Sequence, residues 1–238
     1  MTSKPRVSCI IPAYNEAARI DTVLAVLCGH PLLEEIIVVD DGSSDATAEV
    51  ARRAGARVIE LARNCGKTAA LVEGIVAAKG DIFLLIDADL VGLSADNVTA
   101  LLTPVLAGMA AVAISLRGNA PLSWRLLGVD YISGERAFAR DLLEGQHAVL
   151  RSLPRFGFEV HFNNLILARA AQVAIVDWPG VASPSKVRKR GFVHGIWADF
   201  RMMADIFRVI SPMTALRQIH GMRARRIVSL AAEVSARR

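Results

Sequence analysis

The sequence predicts an α/β fold, a mostly parallel wound sheet with flanking helices, and three observations carry that prediction. Short apolar runs alternate with stretches of helical spacing over residues 1–116. Apolar residues make up 53% of the chain and aromatics only 5%, so Ala, Val, Leu and Ile fill a core that suits a helix-covered parallel sheet better than a sandwich. Polar and acidic clusters stand where the apolar runs stop, and ligands of wound sheets sit at the carboxyl ends of the strands. The same composition over 238 residues excludes wholesale disorder and fits one domain with a small appendage at most.

Taken in order, Val7–Ile11 is a buried strand ended by Pro12. Glu16–Cys28 has helical spacing through Ile20, Val23, Leu24 and Leu27, with Asn15 as its N-cap. Glu35–Val39 is a second strand and runs into Asp40-Asp41-Gly42-Ser43; Asp45–Ala54 is a helix capped by Ser44 or Asp45. Arg57–Leu61 is a third strand, Lys67–Ala78 a helix closed by Lys79-Gly80, and Ile82–Ile86 a fourth strand leading into Asp87-Ala88-Asp89. This order implies right-handed crossovers. Val98–Leu116 is 19 residues without a charge, close to membrane-spanning length. Its alanines, with Thr99, Thr103, Pro104, Gly108 and Ser115, favour instead a helix, a Gly turn and a buried strand over Ala111–Leu116.

Beyond residue 117 the pattern is less regular. Ser133–Phe138 reads as a turn entering a helix, Phe158–Ala171 as a helix and Ala174–Trp178 as a strand. From Gly191 onward the spacing is helical, with Phe200, Met203, Phe207 and Ile210 on one stripe.

Charge is unevenly placed. Residues 180–238 hold twelve Lys or Arg against three acids, a net of +9; with the whole chain at +5, residues 1–179 carry −4. A basic tail points to a polyanionic partner such as phosphates, an anionic membrane face or nucleic acid. Three scattered cysteines, Cys9, Cys28 and Cys65, make neither a disulfide framework nor a zinc knuckle. With no apolar stretch after Met1–Arg6 to read as a signal peptide, they fit a reducing, cytoplasmic setting.

The chemistry concentrates at strand ends. Asp87 and Asp89 flank Ala88 where a buried strand frays, and alternate positions share a face, so both carboxylates can reach one Mg²⁺ or Mn²⁺ whose remaining shell is water and diphosphate. The bland reading is a pair of solvated loop acids. Asp40-Asp41 exceeds what a helix cap needs, which leaves Asp41 free to accept from a base N–H. Tyr14 and Glu16, after Pro12, offer an aromatic face and a carboxylate to a nucleobase. Gly66-Lys67-Thr68 resembles a P-loop end, but Leu61 stands where that loop needs Gly; Lys67 can still meet a phosphate at a helix start. Glu159 is a candidate general base or acceptor-orienting group, and Lys186, Arg188, Lys189 and Arg190 form a loop cluster suited to clamping a diphosphate.

Together these pieces resemble family 2 glycosyltransferases of the GT-A fold, and most nearly the dolichyl- or polyprenyl-phosphate sugar transferases. The matching segments are residues 7–16, 36–45, 64–71 and 81–89, with Ser133-Gly134 and Arg136–Phe138 similar to an acceptor-side segment. The resemblance implies a UDP-, GDP- or dTDP-sugar donor. It implies that Pro12, Tyr14, Glu16, Val39 and Asp41 hold the nucleoside. Asp87 and Asp89 would hold the metal and diphosphate, backed by Ala88, and Arg117 would contact the donor, beside Lys67, Lys186 and Arg188, which the residues themselves already offer as phosphate contacts. Asp89 and Glu159 become the catalytic candidates, and the expected chemistry is a single inverting displacement.

On this reading residues 1–190 form the transferase domain, with a nucleotide-sugar half at 1–117 and an acceptor half at 118–190. Residues 191–238 form a basic helical extension, suited to peripheral docking on the inner membrane face beside a polyprenyl phosphate and to a homodimer through its helices. Transfer to a soluble acceptor, a nucleotidyltransferase and a nucleic-acid-binding protein using the basic tail are the competing readings. A nucleotidyltransferase would want a Gly-rich basic loop after the first strand, where Pro12–Glu16 offers an acid. Nucleic acid is not the expected partner.

Overall fold

The structure is a computed structural model that describes residues 4–120, 133–153, 157–183 and 212–227. Val7–Ala13 (β1), Ile20–Leu27 (α1), Glu35–Asp40 (β2), Thr47–Arg53 (α2), Arg57–Glu60 (β3), Lys67–Ala77 (α3), Ile82–Leu85 (β4), Ala95–Leu106 (α4) and Val112–Arg117 (β5) keep the expected alternation. Arg136–Ala139 (β6), a tight turn over Arg140–Leu143, His147–Ser152 (α5), Gly157–Ala168 (α6), Val173–Trp178 (β7), Pro212–Ala224 (α7) and Arg226–Ile227 (β8) follow.

The strands form one eight-stranded sheet in the order β3-β2-β1-β4-β6-β5-β7-β8. β1 pairs in parallel with β2 and β4, and β2 with β3; β5, β7 and β8 form a second parallel set. β6 joins the two sets by running antiparallel to both β4 and β5. Successive residues of β1 feed opposite layers: Ile10 packs with Val39, Ile75, Phe83, Phe138 and Phe162, whereas Cys9 and Ile11 pack with Ile20, Leu24, Leu84, Leu101 and Trp178. Both faces are covered, which is why the strands read as continuous apolar runs.

Two local expectations are corrected and a third is refined. Ser133–Phe138 does not enter a helix, because its last residues are strand β6, hydrogen-bonded on both sides. A four-residue apolar run carries no period of its own, and partners from β4 and β5 decide it. Asn15 does not cap a helix: its φ of 54° is left-handed, and α1 begins only at Ile20, after Arg19 and Ile20 donate to the Glu16 carbonyl. Asp45 does satisfy the first orphan amide of α2, accepting from Thr47 N at 3.0 Å, while Ala46 takes the N-cap position.

The uncharged stretch resolves into α4, opened by a Ser94–Asn97 capping box, and strand β5. No described helix is long and apolar enough to cross a membrane. The expected stripe of Phe200, Met203, Phe207 and Ile210 lies outside the described residues. The described part of the basic extension belongs to the main core. Ile219 and Met222 of α7 join the cluster around Phe158 and Phe162, Gln218 Nε2 donates to Asn164 Oδ1 at 2.5 Å, and β8 adds an edge strand.

Gly74 shows how tightly α3 seats on the sheet. A Cβ there would press into Ile10 Cγ2 and stand 3.1 Å from Val39 Cγ2. Alanine gains about 1 kcal/mol in helix propensity, but Ile10 is fully buried and cannot yield. Overpacking of about 1–3 kcal/mol wins, so Gly74→Ala is expected to lower the urea midpoint at unchanged slope.

Candidate functional site

A cleft of about 660 Å³ opens at the carboxyl ends of β1, β2 and β4. Pro12, Tyr14 and Glu16 line it where β1 ends, Asp41 where β2 ends, Lys67 at the start of α3, and Asp87, Ala88 and Asp89 after β4. Parallel strands put these segments side by side, since Pro12 pairs with Val39 and Ile10 with Leu85. Tyr14 is 46% exposed and presents an open aromatic face.

Asp41 organises the loops around the cleft. Its Oδ1 accepts from Cys65 N at 2.7 Å and its Oδ2 from Gly66 N at 2.8 Å, so one buried carboxylate fixes the turn that opens α3. A carboxylate has about four lone-pair positions, which leaves acceptor capacity toward the cleft. Gly42 next to it has φ +70°, and a Cβ there would lie 2.5 Å from the Arg63 carbonyl carbon; only glycine lets the two loops touch. Asn15 ties in the third loop, donating its N–H to Ser43 Oγ at 2.9 Å and accepting from Ser44 N at 2.8 Å. The left-handed conformation of Asn15 thus serves loop contact.

Beneath the cleft lies a chain of charges. Lys67 Nζ donates to Asp87 Oδ1 at 2.6 Å and stands 3.7 Å from Glu159 Oε1. Glu135 is fully buried, accepts from the Ser115 and Ser133 hydroxyls at 2.8 Å, and sits 3.4 Å from Arg117 Nη1. Burial pushes the Glu135 carboxyl up. For Asp87, burial pushes the same way, but the Lys67 ammonium and then Arg117 overcome it and hold the carboxyl below its ordinary range. Burial would lower Lys67, yet Asp87 and Glu159 outweigh it and raise its affinity for the proton. Lys67 therefore stays an ammonium and Asp87 a carboxylate.

Other candidates fall elsewhere. Val39 is fully buried, packs in the core toward Gly74 and does not line the cleft. Arg117 turns to Glu135 and to the Ser183 hydroxyl. Glu159, buried in the first turn of α6, does not itself line the cleft but stands 3.7 Å from the lining residue Lys67. His161 pairs with Gln146 Oε1 at 3.0 Å, and burial pushes its pKa down. Lys186 and Arg188 lie outside the described residues. Glu135 was missed from the sequence. Its only local signal is an acid-base pair, Glu135-Arg136, beside an apolar strand run, and the partners that make it matter come from β5 and its flanks.

Among the described residues, no three His, Cys, Asp or Glu side chains gather into a group able to hold a metal ion on protein ligands alone. Asp87 and Asp89, on alternate positions at one strand end and both facing the cleft, suit a hard divalent cation that completes its shell with phosphate oxygens and water.

Comparison with known proteins bears on this arrangement. Dodecaprenyl-phosphate galacturonate synthase of Rhizobium johnstonii is 38% identical over 93 residues, covering 35% of this chain and 28% of that protein. Dolichyl-phosphate beta-glucosyltransferase of Drosophila melanogaster is 44% identical over 98 residues, covering 34% and 30%. The aligned segments thus span about a third or less of these curated relatives. The crystal structure of glucosyl-3-phosphoglycerate synthase from Mycobacterium tuberculosis in complex with Mn²⁺, UDP-glucose and phosphoglyceric acid superposes with a TM-score of 0.63 at 28% identity, covering 76% of this chain and 72% of that one. The wound sheet agrees with the GT-A fold expected from the motifs. Glycosyl transferase family 2, as a family model, matches residues 8–156, more than half of the sequence, and the chain belongs to that family.

Proposed function

We propose that this chain transfers a sugar from a nucleotide-diphosphate sugar to a phosphate-bearing acceptor, assisted by Mn²⁺ or Mg²⁺. The observation that carries the reading is the convergence of Tyr14, Asp41, Lys67, Asp87 and Asp89 on one cleft. Pro12, Tyr14, Glu16 and Asp41 take the nucleoside, with Tyr14 stacking on the base. Asp87 and Asp89 hold the cation, which when bound neutralises charge on the departing diphosphate. Lys67 and Arg117 add positive charge on the donor side. Glu159, 3.7 Å from Lys67 Nζ, orients that ammonium in this reading and so acts as a positioning residue. A phosphate acceptor is already ionised near neutral pH, so a single inverting displacement needs no strong base.

Two relatives with dodecaprenyl- or dolichyl-phosphate in their names favour a lipid phosphate acceptor. The net +9 of residues 180–238 would hold the enzyme on the cytoplasmic face of an anionic membrane, each Lys or Arg contributing about 1 kcal/mol. In this reading residues 1–117 form the donor half, 118–190 the acceptor half, and 191–238 the docking extension. A soluble phosphorylated acceptor is the second reading, favoured by the structural neighbour whose complex contains phosphoglyceric acid.

Asp89→Asn is expected to keep the fold by circular dichroism and to lower sugar transfer, or donor hydrolysis, from the UDP-, GDP- or dTDP-sugar used by at least about 100-fold. Excess EDTA should match that loss, and added Mn²⁺ should restore the wild type alone. Wild-type rates indifferent to both manipulations would remove the metal from the proposal.

The acceptor is separable by experiment. With the preferred donor, a short-chain polyprenyl phosphate should be glycosylated and 3-phosphoglycerate left untouched. The full chain should float with phosphatidylglycerol vesicles at low salt and dissociate near 0.5 M NaCl, as exposed charges become screened. The opposite acceptor preference would select the soluble reading.

A further inference from the structure

The Lys67 ammonium occupies a carboxylate oxygen that a cation-binding site should keep open. Its Nζ lies 2.6 Å from Asp87 Oδ1, and Glu159 Oε1 waits on another side at 3.7 Å. Gly134 closes over the pair: a Cβ there would stand 2.6 Å from both Lys67 Nζ and Asp87 Oδ1 and 2.8 Å from Oδ2. Gly134 thus packs directly onto the contact, and a side chain there would have to push the ammonium or the carboxylate aside.

One oxygen cannot serve an ammonium at 2.6 Å and a divalent ion at about 2.1 Å without bringing two cations together. Even with the ion on Asp87 Oδ2 the ammonium on Oδ1 would stand close enough to repel it, so Lys67 and the metal compete for Asp87. Lys67 also lines the cleft, so its ammonium can turn toward a ligand there. Lysine suits that movement, with a compact charge on a flexible stem and an affinity for phosphate.

We propose that Lys67 is a place-holding cation: it covers Asp87 in the empty protein and yields that carboxylate only when a donor diphosphate draws it away, so that metal and donor bind as one coupled event. Glu159 is the positioning residue that keeps the ammonium within reach of both partners. This rests on the cleft being a metal–diphosphate site. Its consequence is weak metal binding to the empty protein, strengthened by donor, and by linkage an equal strengthening of donor binding by metal.

The test follows free Mn²⁺ by electron paramagnetic resonance with the full chain, with and without saturating UDP or GDP, whichever the wild type binds. Lys67→Met should bind Mn²⁺ alone about tenfold tighter than the wild type. Nucleotide should tighten Mn²⁺ binding of both proteins, since its diphosphate also ligates the ion, but by about tenfold more in the wild type than in Lys67→Met. Glu159→Gln leaves the ammonium with Asp87 alone and should weaken binding of Mn²⁺ alone about threefold; it decides the matter if Lys67→Met does not fold. Lys67→Met no tighter than the wild type, or Glu159→Gln no weaker, overturns the place-holder while Asp89→Asn still abolishes Mn²⁺ binding. Wild-type Mn²⁺ binding by Asp89→Asn instead overturns the metal reading beneath it.

Discussion

The site rests on one requirement: charges set under a sheet edge must be paired. Lys67 pairs with Asp87 and stands beside Glu159, and Glu135 lies fully buried only because Arg117 and two serine hydroxyls meet it. Removing Arg117 from the fully buried Glu135 would cost several kcal/mol, since that charge would stay behind uncompensated. The pairs also come from different parts of the chain. Lys67 opens α3, Asp87 ends β4, Glu135 precedes β6 and Glu159 starts α6. Satisfying them fixes the distance between the first strands of the sheet and the later segment that carries β6 and α6.

The sheet makes that meeting unavoidable. β6 runs antiparallel between β4 and β5, so its N-terminal approach, Ser133-Gly134-Glu135, arrives at the carboxyl ends of both neighbours. Gly134 is pressed onto Lys67 and Asp87, while Glu135 is delivered to Ser115 and Arg117 of β5. Arg136 is then buried as well, donating to Ser133 O and Asn163 Oδ1 with its guanidinium 5.3 Å from the Phe162 ring centroid. α6 is thereby tied to the same joint, and α7, through Gln218 and Met222, braces α6 from behind. The tail that looked like a separate basic appendage supports the helix that carries Glu159.

Much of the first half was legible because its signals are local. Buried parallel strands are continuous apolar runs, and the acids that end them announce the ligand side before any packing is known. Asp41, Asp87 and Asp89 could be named this way. Asn15 could not be read correctly, because an asparagine before a helical pattern is equally a cap or a left-handed loop residue, and only contact with Ser43 and Ser44 separates the two. Glu159 was visible as an acid at a helix start, but its partner lies 92 positions earlier in the chain.

The sequence by itself determined the βα alternation, the carboxyl-end location of the cleft and the identity of the paired aspartates, since each depends on neighbours a few positions apart. Tertiary structure alone decided that residues 136–139 are a strand, that Val39 is core and that Asp87 is held by Lys67. It also brought Glu135 into the charge network. Those outcomes depend on which distant backbone and which opposite charge come within a few ångströms, and sequence spacing carries no record of that distance.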